Sequence, residues 1–305
     1  MHAMDTMDTT VGRRFVGSSP REPVAPAPHR LVARPAPTLI TPRRGWGSPG
    51  LAELWRHREL LGFLVWRDVA VRYKQTLLGV LWAVLQPTLK MVVFTLVFGR
   101  LVGVASQGAP YPVFVYAGLL PWQFFAEALG RSSHSVMGSA GLITKVYFPR
   151  LVIPLASVGS CLLDFAISFA VLIALMCWYG LAPTASLFAV GPLVGLTVVA
   201  ALGAGTLASA LNVAYRDVRY VIPLVVQVWM FLTPVIYPVT VIPQDWRWLA
   251  WLNPMSGLVD GYRSAILGRP FAWDGLAASA AVSTAMLLVG VAYFKRVERR
   301  FADIV

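Results

Sequence analysis

The residues able to do chemistry in this chain are few and scattered. Its histidines (His2, His29, His57, His134) and cysteines (Cys161, Cys177) are not arranged with each other or with acids as a metal site. No G-x-S-x-G nucleophile elbow occurs, and Gly-Lys occurs nowhere, so the chain has no P-loop for ATP. Cys161 and Cys177 fall on one predicted helix about 24 Å of rise apart, beyond disulfide reach, and read as packing residues. What remains is charge at unusual depth in apolar runs. Lys90 lies in a run that also holds Gln86-Pro87, Asp164 lies mid-run in another, and Glu127 is near the end of a third. A charge inside a bilayer is costly and faces a partner, the bundle interior or water. Two readings stand: Lys90 and Asp164 form an ion pair, or Lys90 faces a pathway.

A second chemical signal is aromatic. Residues 221–263 begin as an apolar run, then meet Thr233, Pro234, Tyr237, Pro238 and Pro243, then Trp246, Trp248 and Trp251, then Asn253-Pro254 and Tyr262-Arg263. The second half is too apolar for an ordinary loop. Its prolines and charges (Asp245, Arg247, Asp260, Arg263) make it too broken to cross a bilayer. Tryptophan and tyrosine favour the membrane–water boundary. The segment therefore reads as dipping into one membrane face and returning, which is tolerated where backbone is buried by protein or lines a water-filled cavity. On one continuous helix, Trp248 and Trp251 would share a face about 60° wide and Trp246 would lie away from it. One surface is expected to pack on the bundle and the other to meet the pathway or headgroups.

The elements that must position these residues are membrane helices. Hydrophobic residues are 57%, charged residues 13%, and mean hydropathy is +0.65. Runs of about 20 apolar residues cross the hydrocarbon core. Six are predicted, at 77–102, 112–130, 151–178, 187–212, 219–239 and 274–294. The net charge of +12 would suggest nucleic acid in a soluble protein, but its placement alternates along the chain. Lys and Arg cluster before the first run (Arg56, Arg58, Arg67, Arg72, Lys74) and in the second connection (Arg131, Lys145, Arg150). They cluster again in the fourth connection (Arg216, Arg219) and after the last run (Lys295, Arg296, Arg299, Arg300). This fits the positive-inside rule with both termini cytoplasmic; a share of the charge holds anionic lipid heads.

Residues 1–48 are rich in Pro, Arg, Ala and Ser without periodicity and read as a disordered cytoplasmic tail, with no signal peptide. Residues 51–65 have helical amphipathic spacing and predict an interfacial helix. It is either an anchor or a lever that passes a cytoplasmic partner's movement into the first span. The elbow Lys145-Val146-Tyr147-Phe148-Pro149-Arg150 sets apolar residues between basic ones, as a plug for a groove on another protein or as an interfacial turn.

Several segments carry a family resemblance. Trp66-Arg67-Asp68, Arg72-Tyr73-Lys74-Gln75-Thr76, Leu78-Gly79, Trp82 and Gln86-Pro87 resemble the start of the permease subunit of type-2 polysaccharide-exporting ABC transporters. These export O-antigen, capsule, teichoic acid and related cell-wall glycans. The stretches 142–150, Tyr215-Arg216-Asp217, 233–238 and Leu252-Asn253-Pro254-Met255 resemble the same family, in order over roughly 50–300. Thr76 stands where a serine is expected, and Lys90 is unusual in its span.

The resemblance implies an all-α integral membrane domain over 49–305. It would have six transmembrane helices, an N-terminal amphipathic interface helix, and re-entrant periplasmic helices between spans five and six. It implies a homodimer in the bacterial cytoplasmic (inner) membrane with two ATP-binding cassette ATPase subunits. ATP and Mg would then be bound by the partner and no cofactor by this chain, and the cargo would be a lipid-linked polysaccharide. The coupling set is Lys145, Val146, Tyr147, Phe148, Pro149, Arg150, Arg67, Asp68 and Arg72. The channel or gate set is Trp122, Phe125, Trp229, Tyr237, Trp246, Trp248 and Trp251, with Lys90 as the residue that could face the pathway. Aromatic faces suit sugar chains, because a pyranose face stacks on a ring while its hydroxyls stay wet. Two other functions fit less well: a type-2 permease for a lipid or drug, and a membrane-embedded glycosyl- or acyltransferase, for which acids or histidines should converge near one membrane face.

Overall fold

The computed structural model describes residues 51–74, 79–106, 108–146, 148–215 and 217–298, and every regular element among them is a helix. The tail, Gln75 to Leu78, Tyr147, Arg216, Arg299 and Arg300 lie outside the described residues. In chain order the helices are α1 (Leu51–Arg56), α2 (Arg58–Lys74), α3 (Gly79–Phe94), α4 (Tyr111–Gly138), α5 (Ala140–Ile143) and α6 (Val152–Trp178). They continue as α7 (Val190–Ala214), α8 (Val218–Leu232), α9 (Arg247–Trp251), α10 (Pro254–Leu267) and α11 (Trp273–Glu298). Wider π turns, Thr95–Leu101, extend α3.

Among the described residues, five helices are long and apolar enough to cross a membrane: Leu81–Leu101, Tyr111–Gly138, Val152–Trp178, Ala185–Ala214 and Trp273–Glu298. The chain is a multi-pass membrane protein. The predicted fifth run, 219–239, does not form one long helix. Its helical part, α8, has 15 residues, about 22 Å of rise against a hydrocarbon core of about 30 Å. The cause is local. Proline at 234 disfavours helical backbone at the residue before it, and Thr233 is extended, with φ −92° and ψ 137°.

α4 is the central helix. It is buried along most of its length and packs against α6, α7 and α10. The larger core forms around it. A second, smaller core gathers Leu64 of α2, Val136, Ile143, Phe148, Leu151, Val152, Ile153, Ala156, Ala210, Val213 and Phe294.

The connections gather in two groups. In one, Arg269 donates to the Ser106 carbonyl (3.2 Å) and Ser186 to the Ala265 carbonyl (2.8 Å). That group joins the first, third and fifth connections. In the other, the Arg150 backbone N–H donates to the Glu298 carboxylate at the end of α11 (3.2 Å), and the Asn212 amide donates to the Ser133 carbonyl (2.8 Å).

The first helices divide differently from the single interfacial helix expected at 51–65. The run at 51–65 is split at His57, and α2 continues to Lys74. α2 packs along α6 far more than against α3. Leu60, Leu61, Leu64 and Val65 face the second core, while Trp55, Phe63, Trp66 and Val71 stay exposed. The helix therefore carries apolar side chains on two faces, one against the bundle and one outward.

Small residues set the closest approach. α7 and α11 meet where Gly203 faces Leu287, and a Cβ at Gly203 would lie 2.5 Å from the Leu287 amide nitrogen. Within lipid, helices associate through such close backbone contact, because apolar side chains gain little over lipid tails. Gly203→Val is expected to force α7 and α11 apart and lower stability by about 1–3 kcal/mol, the usual cost of overpacking. Thermal unfolding of the purified variant in detergent checks this; an unchanged midpoint would mean that the pair can separate freely.

Candidate functional site

The break after α8 leaves carbonyls at 234–237 outside any helical ladder, and buried carbonyls need donors. Arg263 of α10 supplies them. Its Nη1 donates to Pro234 O (2.8 Å) and Tyr237 O (3.1 Å), its Nη2 to Val235 O, and its Nε to Phe114 O (3.3 Å). The guanidinium stacks on the Phe114 ring, 3.7 Å from the centroid, and the residue is 2% exposed. Among the described residues no carboxylate lies within salt-bridge range of it. The buried positive charge is therefore balanced by backbone dipoles. α4 leaves room with Gly118, where a Cβ would lie 2.8 Å from Nη2 and 2.9 Å from Val235 O. Burial raises the Asp260 carboxyl above its usual range, while Arg263 and Arg269 pull the other way.

A second polar knot closes the segment. Asn253 caps α10: its Oδ1 accepts from the Met255 amide (3.0 Å) and from the Trp229 indole (3.0 Å). Its amide donates to Thr233 Oγ1 (2.8 Å), which donates to the Trp229 carbonyl (2.9 Å). Trp229 packs edge-on against Phe125 (centroids 5.1 Å) and Trp122 (6.4 Å). Of the channel or gate set, Trp122 and Phe125 are thus buried in this chain's own core, and Trp229 and Tyr237 are half-buried.

The tryptophans of 246–251 divide differently from the expected pairing of Trp248 with Trp251. Trp246 and Trp248 are 61% and 60% exposed, and Trp251 alone is half-buried. Its indole lies beside Gly275, at the start of α11. Trp246 ends a separate 3-10 turn (Gln244–Trp246) and so is off α9, which starts at Arg247; Trp248 and Trp251 share α9, but only Trp251, at its end, reaches α11.

On the coupling side, Arg67 holds Asp68 (2.8 Å) on α2. Arg72 pairs with Asp164 of α6 and donates to Ser160 Oγ (3.2 Å), and the Tyr73 hydroxyl also bonds Asp164. Burial pushes the Tyr73 phenol's pKa up, with Arg72 pulling the other way. Asp164 is therefore paired with Arg72 rather than Lys90. Lys90 is exposed on α3 and makes no salt bridge among the described residues. The sequence pattern ranked depth along spans but not the return of α2 onto α6.

In the elbow, Lys145 and Val146 are exposed, and Tyr147 lies outside the described residues. Phe148 is 5% exposed in the second core, so it is not free to plug a partner's groove. Pro149 and Arg150 are half-buried, and Arg150 is tied to Glu298. The sequence reading missed Arg263 as a clamp and Asn253 as a hub. Asn253-Pro254 was the available signal, since Asn at the cap and Pro at the first helical position mark a helix start.

The ABC-2 type transporter family model matches residues 59–267 of the chain. The chain belongs to the ABC-2 type transporter family. This ABC-2 type transporter chain is also similar to the O-antigen export system permease protein RfbA of Myxococcus xanthus. The two are 35% identical over 258 residues, which covers 82% of this chain and 97% of the relative. It is 30% identical over 247 residues to a protein of the same name from Klebsiella pneumoniae, covering 81% of this chain and 95% of the relative. It is 25% identical over 209 residues to the polysialic acid transport protein KpsM of Escherichia coli, covering 66% of this chain and 78% of the relative. The family match spans α2 to α10, and so includes both the Arg72–Asp164 pair and the Arg263 clamp of the ABC-2 type transporter chain.

Arg263→Met is expected to cost about 3–5 kcal/mol, because several buried carbonyls lose a charged donor at once. Arg263→Lys should recover part of this, since an ammonium reaches fewer carbonyls than a guanidinium fork. Chemical unfolding of both variants checks the order. Trp251→Ala should lose about 2–4 kcal/mol through the cavity it leaves beside α11. Trp246→Ala and Trp248→Ala should stay within about 0.5 kcal/mol of wild type, as exposed sites do. Equal loss at all three positions would refute the division.

Proposed function

We propose that the chain is the channel-forming permease subunit of an exporter that moves a lipid-linked polysaccharide across the bacterial cytoplasmic membrane. The observation that carries this is similarity to O-antigen export permeases in register over most of the chain, 82% for the M. xanthus relative. The geometry is compatible with it. α3 and α8 present broad exposed apolar faces, including Trp82, Leu89 and Val93 on α3 and Leu224, Val228 and Phe231 on α8. Polar side chains stand on these same helices, exposed: Gln86 and Lys90 on α3, Gln227 on α8. Such groups are unfavourable against hydrocarbon, so a second copy of the chain meets these faces and a pathway forms between the two.

In this reading there are six crossings. α8 and the break at 233–238 complete the fifth, α9 and α10 form a re-entrant periplasmic segment, and both termini are cytoplasmic. α1 and α2 lie at the cytoplasmic interface. A separate ATPase subunit, in two copies, binds ATP and Mg and docks at Lys145, Val146 and the exposed surface of α2. Trp246 and Trp248, the exposed tryptophans, meet the pathway or headgroups, while Trp251 anchors the segment.

Three measurements test this. Cysteines at Pro183 and Gln244 should label from outside the membrane and those at Ser135 and Thr144 only from the cytoplasm; the reverse pattern would sink the topology. The chain purified alone should hydrolyse no ATP and should co-purify with a P-loop subunit. Lys145→Glu with Val146→Asp should leave its folded yield unchanged and lower glycan surface display at least tenfold. Loss of lipid or drug export with intact glycan display would favour the small-molecule permease instead, and sugar transfer by the purified chain would favour the transferase.

A further inference from the structure

A cavity of about 510 Å³ lies between the end of α2 and helices α3, α4 and α6. Its lining is graded along α4. Glu127 and Arg131 mark one end, Gln123 the middle, and Leu119, Leu120 and Tyr116 the other. From Tyr116 to Arg131 α4 rises about 22 Å, close to half the thickness of a bilayer with its headgroups. Arg72, Tyr73 and Asp164 join Glu127 and Arg131 at the polar end, and Trp82, Phe124 and Phe165 also line the cavity. A space as deep as one leaflet, charged at one end and mainly apolar at the other, where the Tyr116 and Ser168 hydroxyls are the polar groups, fits an amphiphile.

The charges select the head. Two arginines face two carboxylates: Arg72 pairs with Asp164 and Arg131 with Glu127. Glu127 also stands 4.0 Å from Arg72. An anion alone would meet guanidiniums that carboxylates already hold. A head with one negative and one positive group can exchange partners and leave no buried charge unmatched. The Gln123 amide nitrogen is buried with no partner among the described residues, part-way down the cavity. An ester carbonyl at that depth would accept from it. α3, which forms the outer wall, is the least buried of the span-length helices in the single chain and is therefore the wall held most loosely.

We propose that this cavity binds one phospholipid with a zwitterionic ethanolamine head. The phosphate faces Arg72 and Arg131, the ammonium faces Glu127, and one acyl chain lies along Leu119, Leu120 and Phe124. A sugar would fit the charged end but would set most of its hydroxyls against Leu119, Leu120, Phe124 and Phe165, with only the Tyr116 and Ser168 hydroxyls to meet them. The proposal rests on the chain spanning a membrane and not on what it exports, so its test uses lipid retention rather than export.

The full chain is purified in mild detergent, exchanged with phosphatidylethanolamine or phosphatidylglycerol of the same acyl chains, and examined by native mass spectrometry. Wild type should retain one phosphatidylethanolamine per chain, at least tenfold more tightly than phosphatidylglycerol. Ala83→Trp, which fills the cavity from the loosely packed α3, should lower this retention at least tenfold. Glu127→Gln removes the ammonium's partner and leaves the cavity positive, so it should shift the preference toward phosphatidylglycerol. Equal retention of both lipids by wild type, or displacement of the lipid by a soluble oligosaccharide, would overturn the proposal. So would an unchanged head preference in Glu127→Gln, which decides the matter even if Ala83→Trp folds poorly.

Discussion

The arrangement on one side of this protein depends on a single buried guanidinium. A chain that stops being helical inside a membrane protein releases carbonyl groups that lipid cannot satisfy. Between α8 and α9 that happens at Thr233-Pro234, and Arg263 reaches across from α10 to take Pro234, Val235 and Tyr237 together. The same side chain bonds Phe114 O on α4. One residue thus ties the break to both the central helix and the helix that follows the tryptophan segment. No other side chain type matches the demand, since arginine alone presents five donors in a fixed fork and has no acceptor to leave empty. The charge then has a use: hydrogen bonds to a charged donor are stronger than neutral ones, which offsets the burial.

The Asn253 knot works on the same break from the other side. Arg263 secures the carbonyls after Thr233, and Asn253 secures Thr233 itself, the Trp229 indole and the first turn of α10. Among the described residues, the short α9 makes no hydrogen bond to the core. α9 is held instead by Trp251 against Gly275 and by the Arg247 Nε–Ile242 O bond (3.3 Å). A rigid base and a lightly held tip are what a gate needs under the proposed function, because the tip can move without melting its foundation.

Much of this was legible in the chain, and the limits have physical causes. Apolar run length was enough to find five spans, since backbone in lipid has few alternatives to a helix. The break at 233–238 was visible from its prolines. Its consequence for α8 was not: a 20-residue apolar run and a 15-residue helix followed by a buried turn have similar composition. Asp164 was visible as a buried acid, but its partner was not, because Arg72 reaches it only when α2 folds back along α6. Phe148 read as a plug or an interfacial turn because it sits between basic residues; it is buried in a core that gathers residues as distant in sequence as Leu64 and Phe294. The tryptophan faces were misjudged because α9 ends at Trp251, which meets α11 beside Gly275 while Trp248 one turn earlier meets nothing that buries it, a contact set by the distant start of α11.

The contrast between α4 and its neighbours bears on how movement could pass through the subunit. α4 is packed on nearly every side and is braced by small-residue contacts and the Arg263 clamp, so it is a poor candidate for large displacement. α3 and α8 flank it with little of their surface buried. α2 is joined to α6 by Arg72 and to the second core by Leu64, while its opposite face stays bare. Force applied to α2 therefore reaches α6 before α3, against which α2 packs far less. With a lipid between α3 and α4, as proposed, the outer wall would slide on an acyl chain rather than on interlocked side chains. Packed cores switch between discrete arrangements, whereas a lipid-filled seam yields continuously. On that argument the loosely packed helices carry the motion, and α4 with its clamp is the fixed frame against which they move.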